Sequence, residues 1–77
     1  MKNELGQKVY RKLLYYFENK IHVHFKDLDD IFYNGLILDL NEDKLTMVLY
    51  ERVRGSIPIL LEFINPDSIC KFKEVDE

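Results

Sequence analysis

Beyond Asn19 the apolar residues of this chain stop recurring every three or four positions and begin to alternate, and that change of period limits the fold more than any other feature. Upstream, Leu5, Val9, Leu13 (or Leu14) and Phe17 fall on one face of a helix, which predicts a helix over about 3–19. Asn3 is placed to cap its start and Asn19 to stop it. Lys8, Arg11 and Lys12 collect on the opposite face. Downstream, Ile21, Val23 and Phe25 alternate with His22, His24 and Lys26, which predicts a strand over 21–26 with one face buried.

Four more strands follow by the same argument. "KDLDD" is a polar turn. "IFYNGLILDL" predicts a strand over 31–40, apolar on both faces, with Gly35 at its centre. A glycine inside a strand marks a sharp bend or a close approach, and a bent strand can serve two sides of a small barrel. After the turn Asn41–Asp43, a strand over 44–53 carries Leu45, Met47 and Leu49 on one face. "RGS" turns the chain into a strand over 57–64, with Ile57, Ile59, Leu61 and Phe63 on one face. Pro58 lacks a ladder donor and belongs near the strand start or at an exposed edge. "NPDS" is a tight turn, and a last strand runs over 69–75. The expected fold is mainly β: one helix, then a five-stranded, strongly bent antiparallel barrel, all in a single domain over 1–77.

A chain of 77 residues buries only roughly 60% of its unfolded surface, so its core must be rich. At 47% hydrophobic and 13% aromatic, the composition excludes a disordered segment. The single cysteine, Cys70, forbids an internal disulfide and suits a reducing compartment. No apolar run approaches the roughly 20 residues of a membrane span, and the start "MKNELGQ" lacks the apolar core of a signal peptide. These features lead to the expectation of a cytoplasmic protein without membrane association. A net charge of −3 speaks against a polyanion as the dominant partner.

The order of elements resembles the Sm/Lsm family, a small SH3-like barrel with an N-terminal helix. "LLYYFENKIHVHFKD" is similar to that family's helix end and its first strand, V-x-V-x-L-K-D. "IFYNGLILDL" is similar to its second strand, x-F-x-G-x-L, and "FINPDSI" occupies the place of its I-R-G-x-x-I. The family's uridine-binding signatures are missing. Where its loop reads Asp-x-x-Met-Asn, this chain has Asn41-Glu42-Asp43-Lys44-Leu45, and Asn65-Pro66 stands in place of Arg-Gly. The pair Arg54-Gly55 falls one turn too early. The resemblance implies the fold and assembly through the edges of the fourth and fifth strands.

Candidate sites are few. Zinc needs three or four ligands, and His22 with His24 supplies two. Their alternation with Ile21, Val23 and Phe25 makes them the solvated side of a strand, so changing both to Gln should move stability by about 0.5 kcal/mol at most. Thr46, Ser56 and Ser68 have no paired base and orienting acid, and a lone Cys70 is most simply a small hydrophobe. The acidic turns lack calcium-loop spacing. The chain therefore reads as non-enzymatic, without metal or cofactor. In the leading reading it is a homo-oligomer that also binds a protein, with Leu60, Glu62, Ile64, Lys71 and Lys73 at the subunit interface. There, surplus apolar side chains and unpaired backbone groups of the outer strands are satisfied by a neighbouring copy. In the alternative reading it binds single-stranded RNA through Lys8, Arg11, Lys12, Arg52 and Arg54.

Overall fold

The structure is a computed structural model and describes residues 4–72. Helix α1 (Glu4–Glu18) is followed by strands β1 (Val23–Lys26), β2 (Phe32–Asn41), β3 (Thr46–Glu51), β4 (Gly55–Leu60) and β5 (Cys70–Lys71). Two single-turn 3-10 helices, Leu61–Phe63 and Pro66–Ser68, lie between β4 and β5. All pairings are antiparallel, in the order β4-β3-β2-β1-β5.

The helix ends as a Schellman motif. The Ile21 N–H donates to Tyr16 O at 3.0 Å and the Lys20 N–H to Phe17 O at 3.3 Å. Asn19, expected as the stop, is the last cap and binds Tyr15 O through its side chain at 2.8 Å. The left-handed residue is Lys20, with φ 54°. Lysine in that conformation costs about 1 kcal/mol, which glycine would relieve. Lys20→Gly is therefore expected to raise Tm by about 4 °C in a domain of this size, and a melt followed by circular dichroism with no rise would contradict the geometry. Asn3 lies outside the described residues.

Packing follows the two periods. Val9 and Leu13 from α1 share one core with Val23 and Phe25 from β1, and all four are completely buried. Ile37, Met47, Leu49, Leu61 and Ile64 complete the core, with Leu5, Phe17, Leu40 and Ile59 packed around it. β2 is apolar on both faces for a reason that alternation alone does not reveal. Its register slips between Ile37 and Asp39, so Leu38 bulges outward and both Ile37 and Leu40 turn inward. Upstream, Phe32 to Gly35 pair with β1, whereas Leu36 to Asn41 pair with β3. The strand changes partner at Gly35. A Cβ there would collide with the Tyr50 carbonyl oxygen and stand 3.0 Å from its carbon.

The sheet is not closed into a barrel, contrary to expectation. β4 ends at Leu60 rather than at 64, because the chain turns inward. Leu61 donates its N–H to Leu45 O at 3.0 Å and its side chain is buried. Phe63, expected on the same inner face, is 52% exposed. The following residues lie along the outer side of β1. Ile64 bridges Asp27, and the Asn65 N–H donates to Lys26 O at 3.0 Å. Ser68 Oγ then accepts the Lys26 N–H at 2.9 Å. A hydroxyl thus occupies a position that a continuous strand would fill with a carbonyl. Of the expected last strand, Cys70 and Lys71 pair with β1, and positions 73–75 lie outside the described residues. β3 is likewise shorter than expected, since Leu45 sits in the preceding turn with φ 52°.

Candidate binding groove

The site is built where β2 parts from β3. Alternate residues of a strand direct their backbone groups to opposite neighbours. In β2 the groups of Phe32 and Asn34 face β3, but β3 has already turned away at Glu51. Two side chains take its place. Glu51 Oε2 accepts the Asn34 N–H at 3.1 Å, and Arg54 Nη2 donates to Phe32 O at 3.2 Å. The two side chains are also joined to each other, Arg54 Nε to Glu51 Oε1 and Arg54 Nη2 to Glu51 Oε2 at 3.0 Å. Arg54 further lies 4.9 Å from the centre of the Tyr33 ring. The hydrogen bond that the guanidinium donates to Glu51 raises its pKa above the ordinary value, ahead of any other cause.

The turn held by this pair forms one wall of an open groove of about 840 Å³. Phe32, Leu36, Tyr50, Val53 and Phe72 supply its apolar lining, and His22 and Arg52 its remaining polar groups. Exposure here is high for apolar side chains: Val53 is 95% exposed, Phe32 60% and Tyr50 45%. His24 stands behind Phe32, ring on ring at 5.4 Å and nearly parallel, and 6.3 Å from the Phe72 ring. His22 is exposed as expected. His24 is not a freely solvated residue; it is half-buried, and its Nδ1 is buried without a hydrogen-bond partner among the described residues. The same residues hold no cluster of three or more His, Cys, Asp or Glu side chains placed to bind a metal ion.

The expected basic contacts are not brought together. Lys8, Arg11 and Lys12 are exposed on α1 and do not line the groove. Lys12 Nζ donates to Pro66 O at 3.3 Å. Arg52 and Arg54 both line it, yet only Arg52 is without an ion pair or hydrogen bond among the described residues. The expected interface set is also divided. Leu60 is 44% exposed at the end of β4 and Lys71 is exposed on β5, but Ile64 is fully buried and belongs to the core. Glu62 sits in a 3-10 turn, so it cannot face Lys71 across a ladder through a strand of its own. Lys73 lies outside the described residues.

Glu51 was not singled out from the sequence, although its signal is there. Met47 and Leu49 set the inward phase of β3, and Glu51 continues it. A carboxylate on a buried phase needs a cation, and Arg54 is three residues away. The two arginines should therefore differ sharply. Arg54→Ala leaves the buried Glu51 carboxylate without its counter-charge and is expected to lower the urea midpoint clearly, whereas Arg52→Ala should leave it nearly unchanged. Equal effects would contradict the structural role of Arg54.

No helix among the described residues is long and apolar enough to cross a membrane. No protein-family model matches the chain, and neither a curated protein nor a solved structure matches it.

Proposed function

We propose that this chain is a non-enzymatic interaction module on an Sm-like, SH3-like framework, which self-associates and binds a protein partner. The observation that carries the reading is that, among the described residues, the outer edge of β4 has no strand partner and exposed apolar side chains stand beside it. Leu60, the last residue of β4, and Phe63, in the 3-10 turn that follows it, are 44% and 52% exposed. The helix followed by five short strands, with β2 switching partners at Gly35, supports the Sm-like framework. A protein partner is favoured over single-stranded RNA because two of the five candidate cations are engaged, Arg54 by Glu51 and Lys12 by Pro66.

The β4 edge has a definite register. Since the Leu61 N–H points to β3, the backbone groups of Ser56, Pro58 and Leu60 point outward. A neighbouring copy therefore meets two N–H donors, with a gap at Pro58, and the apolar contact at Leu60 completes the contact. Light scattering at micromolar concentration is expected to give a multiple of the 9.3 kDa chain mass. Leu60→Lys is expected to return it to the single-chain mass without lowering Tm. A wild-type protein that scatters as a monomer would overturn self-association.

A further inference from the structure

We propose that the groove between β2 and the Arg52–Arg54 turn docks an extended peptide segment that carries an aliphatic or aromatic side chain beside a carboxylate. The inference rests on the protein-partner half of the reading above and names the chemistry of that partner. Single exposed apolar residues are ordinary on a protein surface, but their convergence in one concavity marks a binding site. Here Phe32, Leu36, Tyr50, Val53 and Phe72, from two strands, a turn and the residue after β5, converge on one groove. Its volume of about 840 Å³ lies within the range of sites that enclose small ligands or a few side chains.

Charge selects among occupants. Among the described residues, the Glu51 carboxylate is matched by Arg54 and by the Asn34 N–H, and Arg52 is the charge of the groove without a counter-charge. A positive groove on a chain of net charge −3 attracts an anionic group locally, and a guanidinium pairs best with a carboxylate or phosphate through its planar fork. One cation does not hold a polyanion, whose affinity comes from several neutralised phosphates. An acidic and apolar peptide satisfies both features.

The mode of docking also follows. In strand addition, an incoming segment bonds to an open backbone edge. Here the Asn34 N–H and the Phe32 carbonyl, which would offer that edge, are already bonded to Glu51 and Arg54. The segment is recognised through its side chains.

The test uses the full chain and fluorescence anisotropy with labelled synthetic peptides. The probes are Gly-Ser-Phe-Asp-Leu-Glu-Ser-Gly, the same peptide with lysine at both acidic positions, the same peptide with serine at both apolar positions, and an oligothymidine of comparable length. The acidic, apolar peptide is expected to bind most tightly. Arg52→Glu should weaken it about tenfold and improve the lysine peptide. Val53→Asp, at a fully solvated position, should weaken the acidic peptide while leaving the circular dichroism unchanged. Equal binding of the acidic and lysine peptides, or none at all, would overturn the proposal, and so would a preference for oligothymidine. If no peptide binds and Val53→Asp lowers the scattering mass, the groove belongs to a second copy and the proposal fails in that way. A monomeric wild-type protein that binds the acidic peptide leaves this inference standing while self-association falls.

Discussion

Gly35→Val is expected to unfold the domain or bring it close to unfolding, with a loss of about 3 kcal/mol or more. The requirement at Gly35 is one of space, since its backbone is not in the left-handed region. The Cβ alone meets the Tyr50 carbonyl. That carbonyl belongs to β3, which is paired on one side with β2 and on the other with β4, so the obstacle is backbone held by two ladders. A rotamer change cannot relieve it. Gly35→Ala should for that reason be nearly as harmful as Gly35→Val. Against a total stability of roughly 4–12 kcal/mol for a chain of this length, a loss of this size is severe. Urea unfolding followed by circular dichroism measures it. A Gly35→Ala protein of wild-type stability would show that β2 and β3 stand further apart than described.

Ile64→Lys is expected to be at least as damaging, with a loss of about 4 kcal/mol or more. Ile64 follows the first 3-10 turn and is completely buried in the core with Leu61. Its N–H donates to Leu61 O at 3.1 Å, and its backbone bridges Asp27, so the segment has little freedom to swing the side chain out. An ammonium there is either buried without a counter-charge or exposed at the cost of the turn. Ile64→Val should lose only about 1 kcal/mol, as one methylene usually does. Leu60→Lys, four residues earlier, should change stability little. The three variants, compared by urea unfolding and by scattering mass, separate a core position from an interface position. A folded Ile64→Lys protein with an unchanged melt would place Ile64 on the surface.

Elements whose residues report on themselves were legible in the sequence. The helix has its stripe of Leu5, Val9, Leu13 and Phe17, and both of its buried apolar side chains, Val9 and Leu13, lie on it. β1 alternates, and Val23 and Phe25 are inside as the period requires. The turns at Asn41 and Asn65 are held by their own side chains: Asn41 Oδ1 accepts the Lys44 N–H at 2.9 Å, and Asn65 Oδ1 accepts the Asp67 N–H at 3.0 Å. Two periods overlap in "IPILLEFI", and they differ on where β4 ends. Ile57, Ile59, Leu61 and Phe63 alternate as a strand would, while Leu61 and Ile64 are three apart, the spacing of a 3-10 turn. Both buried residues belong to the second pattern.

What the sequence determined by itself is local: where the chain is helical, which phase of each strand is apolar, where it must turn, and that Gly35 stands at a special place. Periodicity and turn chemistry act between residues a few positions apart, so one segment suffices to express them. Tertiary structure alone decided that the sheet stays open, that Ile64 belongs to the core, that Glu51 pairs with Arg54 and not with Arg52, and that five apolar side chains from distant segments share a groove. Those outcomes depend on strand register and on where one strand leaves its neighbour. Register arises between segments, from the bulge at Leu38, the close approach at Gly35 and the Glu51–Arg54 pair that stands in for a missing strand.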